Sequence, residues 1–257
     1  MSLLEKFFYS APGRAIAGKA GLPEPPVLRR GAVWPEGPIV LASLTGGGLG
    51  AETLRLLGRA AGEPVWDDAE PVPGYPGRIG ALVVDATGLR RIDELEQVRA
   101  VLRPAVRALE QSGRIVLLAR DPAGVDDWEA KAVAQALDGI DRSMGKELRK
   151  GATSNLIQVG PETTAAALAS TLGFLLQGRS AFVDGQTWRV GRADPPSLAE
   201  RPLEDRVVVV TGAARGIGAA IGTPVAREGA QVVAVDVPAA GQGLSSTANA
   251  IGGSALQ

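Results

Sequence analysis

Eight consecutive residues carry the clearest chemistry in the chain: Thr211-Gly212-Ala213-Ala214-Arg215-Gly216-Ile217-Gly218. They follow four valines, Val207 to Val210, and precede a segment of helical character, so the glycines fall where a strand turns into a helix. Gly212 permits the tight turn, Gly216 lets the backbone approach a pyrophosphate, and Gly218 lets helix and strand pack closely. The helix start offers unpaired N–H groups and the positive end of its dipole, which favour an anion. Arg215 and Ile217 complete the loop. A glycine turn without a ligand could use the same residues, but strand, helix and a later acid together favour a nucleotide.

That acid is Asp236, which closes the next apolar run, Gln231 to Val235, 18 residues beyond Gly218. A carboxylate there meets the ribose hydroxyls of a dinucleotide. It also repels the 2′-phosphate of NADP, by a factor on the order of a hundred at about 4 Å in an intermediate dielectric. Arg215 pulls the other way, since a cation in the loop can pair with that phosphate. Asp236 lies where the ribose must lie, so NAD is the expected cofactor and NADP the weaker alternative. The plainer reading of Asp236 is a turn residue at a strand end.

Composition removes most other chemistry. The 257 residues include no His and no Cys, which excludes imidazole bases, thiol nucleophiles, disulfides and the usual zinc ligand sets. A metal would need carboxylates alone. Asp126, Asp127 and Glu129 are a candidate group, but acids at a helix start serve as caps, so no metal is expected. A net charge of −1 lacks the basic surplus of a nucleic-acid or membrane binder. No run reaches the roughly 18 apolar residues of a membrane span, and no secretory signal opens the chain. A soluble cytoplasmic protein acting on small molecules is the expectation.

The elements that must hold these residues alternate between strand and helix. Residues 1–37 are rich in Pro and Gly, with Leu3, Leu4, Phe7 and Phe8 grouped near the start, and read as an arm that packs on a domain. Strands are predicted at 39–44, 81–85, 114–119, 156–159 and 182–190, and helices at 51–61, 92–109 and 133–148. Strands this apolar argue for a parallel sheet covered on both faces, an α/β domain over 38–191. Residues 192–204 contain Pro195, Pro196 and Pro202 and read as a linker. Residues 205–257 then repeat the opening of the first unit, since Thr45-Gly46-Gly47-Gly48-Leu49-Gly50 also joins strand to helix. At 53 residues this second unit is expected to be the truncated start of a domain, with Val207 to Val210 as an unpaired edge and a kink at Pro224.

The glycine loop, continued by Ala219-Ala220-Ile221, by Ala226-Arg227-Glu228-Gly229-Ala230 and by the strand ending at Asp236, resembles the short-chain dehydrogenase/reductase superfamily. With the preceding α/β domain and arm, the chain is similar to the two-domain, high-molecular-weight 3-oxoacyl-acyl carrier protein reductases of actinobacteria. Ser10-Ala11-Pro12-Gly13, Leu28-Arg29-Arg30 and Leu148-Arg149-Lys150-Gly151-Ala152-Thr153 carry that likeness. The resemblance implies a Rossmann-like or flavodoxin-like first domain followed by the start of a second Rossmann domain. It also implies hydride transfer from NADH to the β-keto group of an acyl thioester on acyl carrier protein or coenzyme A, in a homo-oligomer such as a dimer.

Such enzymes protonate the substrate oxygen with a Tyr whose pKa is lowered by a Lys four residues later. Here Tyr9 is followed by Gly13 and Tyr75 by Ile79, and the positions implied in the first unit are Ala130 and Ala134. The Asn-Ala-Gly segment and the catalytic Ser are missing from the second unit. No catalytic residue is therefore expected, and the first unit, whose loop is two residues short, reads as a degenerate copy. The alternative is a non-catalytic nucleotide-binding or assembly module. Lys146, Arg149 and Lys150 could receive an acidic carrier protein, although cations at a helix C-terminus need no partner.

Overall fold

The computed structural model describes residues 10, 12, 13, 16, 26–67, 72–75, 77–193 and 201–257. Leu3, Leu4, Phe7, Phe8, Tyr9, Pro195 and Pro196 lie outside them. The chain divides into two compact units, residues 1–195 and 196–257.

The first unit is built on strands β1 (Ile39–Ser43), β2 (Ala61–Gly62), β3 (Ile79–Asp85), β4 (Leu109–Arg120), β5 (Thr153–Val159) and β6 (Gln186–Val190). They form one parallel sheet in the order β2-β1-β3-β4-β5-β6. Helices α1 (Leu49–Leu56), α2 (Leu95–Ala108), α3 (Trp128–Glu147) and α4 (Ala165–Leu176) connect them. Successive side chains of a strand point to opposite faces, and the core divides accordingly. Val40, Leu82, Val84, Ile115, Leu117 and Leu156 pack under α2 and α3 with Val98, Val101, Val133 and Leu137. Ile39, Val83, Val116, Leu118 and Ile157 pack under α1 and α4 with Leu54, Leu168, Leu172 and Leu176. This is the doubly covered α/β sheet expected from the apolar runs.

Several boundaries differ for physical reasons. The predicted helix 51–61 stops at Leu56, because Gly58 takes φ +64° and Ala61 joins β2. β4 begins at Leu109 and not Arg114: Gln111-Ser112-Gly113 forms an irregularity in which Ser112 has φ +55°. The strand predicted at 182–190 begins only at Gln186. Before it, Gly185 turns the chain at φ +62°, and the Asp184 carboxylate accepts the Ser154 N–H at 2.8 Å. Helix α4 was not anticipated.

Residues 26–30 cross the N-terminal end of the sheet. The Arg29 N–H donates to Ser112 Oγ at 3.1 Å, Arg29 Nη2 donates to the Ser112 carbonyl at 2.7 Å, and Gln111 Nε2 donates to the Val27 carbonyl at 2.8 Å. Further on, the Gly178 N–H donates to the Val33 carbonyl at 2.9 Å.

The second unit has strands β7 (Val207–Thr211), β8 (Gln231–Val235) and β9 (Ser254–Leu256), parallel and in that spatial order, with helices α5 (Gly216–Arg227) and α6 (Gly241–Ile251). Among the described residues β7 is paired on one side only, and Val207 and Val209 are 63% and 61% exposed. Helix α5 passes through Pro224 for three further residues. Proline has no N–H, so residue 224 cannot donate the i→i−4 bond to the Ala220 carbonyl.

Candidate functional site

At the end of β7 the chain turns through Gly212, at φ +66°, and enters α5 at Gly216, at φ +61°. Both values suit glycine and strain other residues. Gly218 is required for a different reason: a Cβ there would lie 2.3 Å from the Gly212 carbonyl oxygen. Arg215 stands just before the helix in extended conformation, and no side chain caps the helix start. Ile217 is 81% exposed beside it. The first turn of α5 therefore presents its amides without an internal acceptor side chain, the arrangement that receives an anion.

Asp236 follows β8 and closes the loop from the side. Its Oδ2 accepts the Ala214 N–H at 2.9 Å and its Oδ1 accepts the Val237 N–H at 2.8 Å. These bonds, the Ala214 one first, hold the carboxyl below its ordinary range, and the charge of Arg215 adds to the effect. Each carboxylate oxygen can accept a second bond, so the group is ionised and retains capacity for two hydroxyl donors. On the far side of the loop Thr247 Oγ1 donates to the Ala214 carbonyl at 3.4 Å. Gly212, Arg215, Gly216, Ile217, Gly218 and Asp236 thus surround one loop.

The loop of the first unit is built otherwise. Asp85, at the end of β3 and 0% exposed, directs Oδ2 at the Gly50 N–H, which donates to it at 2.7 Å. Its Oδ1 accepts from the Thr87 N–H at 3.1 Å and from Thr87 Oγ1 at 2.6 Å. Gly47 has no room for a side chain, since a Cβ would lie 2.6 Å from the Asp85 carbonyl oxygen. An amide in the first turn of α1 is therefore already matched by a carboxylate of the same chain. Sequence reasoning passed over Asp85. The available signal was an acid closing a fully apolar run and followed by Ala86-Thr87-Gly88.

The remaining candidates have structural work. The Tyr75 hydroxyl donates to the Val101 carbonyl at 2.8 Å, and burial pushes its pKa far above the phenolic range. Ala130 and Ala134 are buried on α3. Asp127 caps α3 by accepting the Ala130 N–H at 2.8 Å, and Glu129 accepts the Ile92 N–H at 3.0 Å. Among the described residues no group of acids could hold a metal ion. Arg149 Nη1 donates to the carbonyls of Lys146 and Leu148 at the end of α3. Asp141 is a second buried carboxyl: it accepts from Ser154 Oγ at 2.6 Å, and burial pushes its pKa up to about 7.

No family model matches the chain, and no curated protein does. Among solved structures, a gluconate 5-dehydrogenase from Burkholderia cenocepacia in complex with NADP and tartrate is 18% identical, with a TM-score of 0.48 over 60% of this chain and 94% of that one. A short-chain dehydrogenase/reductase from Serratia marcescens is 18% identical, with a TM-score of 0.43 over 60% and 95%. The aldohexose dehydrogenase of Thermoplasma acidophilum is 13% identical, with a TM-score of 0.45 over 64% and 98%. Among the described residues no helix is long and apolar enough to cross a membrane.

Proposed function

We propose that residues 205–257 bind a nicotinamide dinucleotide, NAD in preference to NADP, as part of a short-chain dehydrogenase/reductase acting on 3-oxoacyl thioesters of acyl carrier protein or coenzyme A. The observation behind the reading is the uncapped start of α5, entered through a glycine loop with no room at Gly218 and flanked by the ionised Asp236. The residues fit the group. The amides of Gly216, Ile217 and Gly218 would face the pyrophosphate, and the free lone pairs of Asp236 would accept the ribose hydroxyls. Arg215 would lie over the phosphates. When bound, the nicotinamide supplies hydride to a carbonyl carbon.

The thioester class rests on sequence resemblance alone. Among the described residues the proton donor of such a reaction has no counterpart, since Tyr75 is bonded to the Val101 carbonyl and Ala130 and Ala134 are methyl groups; Tyr9, outside them, has Gly13 where the partner Lys would stand. The chain should therefore bind NADH and show no turnover of an acetoacetyl thioester.

Fluorescence titration with NADH and NADPH tests the nucleotide reading. Saturable NADH binding is expected, tighter than NADPH by a factor on the order of a hundred, and Asp236→Ala should bring the two together. Absence of saturable NADH binding would overturn the reading. An unchanged ratio in Asp236→Ala would overturn the role of that carboxylate.

A further inference from the structure

The first unit holds a cavity of about 220 Å³ at the C-terminal end of its sheet, lined by residues that include Gly46, Thr87, Arg120, Val125, Val159 and Pro161. These residues follow or end β1, β3, β4 and β5, the edge of a parallel sheet where ligands of α/β proteins bind. The space is below the roughly 300 Å³ at which pockets for drug-sized ligands begin. Asp85 already accepts the Gly50 N–H at the start of the neighbouring helix, so a pyrophosphate there would meet a carboxylate.

Arg120 is the group left without a counterpart. Its Nε donates to the Thr87 carbonyl at 2.7 Å, which fixes the guanidinium plane, and its two terminal nitrogens have no partner among the described residues. Burial and the nearby charge of Arg90 both press on it, and no carboxylate offsets them. Asp121 also lines the cavity, but its carboxylate is turned to other partners: Oδ1 accepts the Ala123 N–H at 3.0 Å, and Oδ2 lies 4.0 Å from Arg189 Nε. A guanidinium cannot shed its proton at neutral pH, and its fork matches a carboxylate with two parallel bonds. One side of the cavity is apolar, formed by Val125 and Val159, which are both buried, and the other carries Thr87 and Asp121.

We propose that this cavity binds a short organic acid, its carboxylate held end-on by the two terminal nitrogens of Arg120 and its alkyl chain against Val125 and Val159. All the residues named for the site belong to the first unit.

The test is a titration of the ¹⁵N-labelled full chain with sodium butyrate, with sodium chloride and sodium phosphate as parallel arms. Saturable shifts confined to the amides around Gly46, Thr87, Arg120–Val125 and Val159–Gly160 are expected, absent with chloride and weaker with phosphate. Arg120→Gln should weaken butyrate binding about tenfold or more, and Arg120→Lys, which keeps the charge but loses the fork, should fall between. Val125→Ala, which leaves the arginine intact, should move the preference from butyrate toward hexanoate. Shifts that do not saturate, phosphate binding tighter than butyrate, an Arg120→Gln protein that binds as well as the parent, or an unchanged chain-length order in Val125→Ala would each overturn the proposal.

Discussion

In the first unit the Gly50 amide in the first turn of α1 is bonded to the Asp85 carboxylate, whereas in the second no side chain caps the start of α5 and the flanking acid, Asp236, reaches only Ala214 in the loop. Both units have a glycine turn with positive φ between a strand and a helix. What separates them is where the negative charge comes from. A carboxylate buried at the loop takes, at Gly50, the place that a bound phosphate takes in a nucleotide fold, and no side chain takes that place at the start of α5, which is the difference the proposed nucleotide site rests on.

Removing the internal acceptor is the sharpest way to break this contrast. Asp85→Ala strands the buried N–H of Gly50 and takes the acceptor from both donors of the half-buried Thr87. A loss of about 4 kcal/mol in the stability of the first unit is expected. All four tryptophans, Trp34, Trp66, Trp128 and Trp188, belong to that unit, so urea unfolding followed by tryptophan fluorescence reads it alone. Asp236→Ala, by contrast, should speed amide exchange at Ala214 and Val237 alone, whose N–H groups it frees, while altering nucleotide preference. Equal destabilisation by the two substitutions would mean that both acids serve only the fold.

Next in size is a pH effect confined to the first unit. Asp141 has a folded pKa of about 7, raised first by burial and further by Asp184 and Asp138, with Ser154 and Arg142 opposing. The folded state therefore binds the proton more tightly than the unfolded chain. Its stabilising contribution is complete below an unfolded pKa near 4 and is lost as pH rises through about 7. The first unit should be a few kcal/mol less stable at pH 8 than at pH 5 on this account, with Asp184, also raised, contributing in the same sense. Asp141→Asn should flatten the profile. A slope that survives the substitution would assign the effect to Asp184.

The smallest expected change lies in the second unit. Pro224→Ala restores a donor for the Ala220 carbonyl and should stabilise residues 201–257 by about 2 kcal/mol, read as slower amide exchange in α5. A neutral result would mean that the carbonyl is well served by water on this exposed helix.

The legible part of the molecule was whatever depends on local pattern. The runs at β1, β3, β7 and β8 are apolar and β-branched, so they announce themselves, and the glycine loop after β7 is read by its spacing. Helix α4 escaped because Ala165–Leu176 is apolar on nearly every side, with seven buried residues and no polar stripe to mark its period. β2 is two residues long and is created by its neighbour β1. Asp85 and Arg120 escaped for a topological reason. Their partners, Gly50 and Thr87, lie 35 and 33 residues away in the chain, and the contacts exist only because β1, β3 and β4 are adjacent in the sheet.

The crossing of residues 26–30 over the sheet bears on how the protein is made. Those residues leave the ribosome early, yet their partners at Gln111 and Ser112 lie about 84 residues later in the chain. At about 5–20 residues per second, that is a wait of roughly 4–17 s. The bond from the Gly178 amide to Val33 has to wait longer still. From β1 onward, by contrast, each later strand has its place beside one already synthesised, β2 on one side of β1 and β3, β4, β5 and β6 in turn on the other, so the sheet can grow as translation proceeds. Residues 26–30 are thus among the last to settle, fastened to a strand that did not yet exist when they emerged.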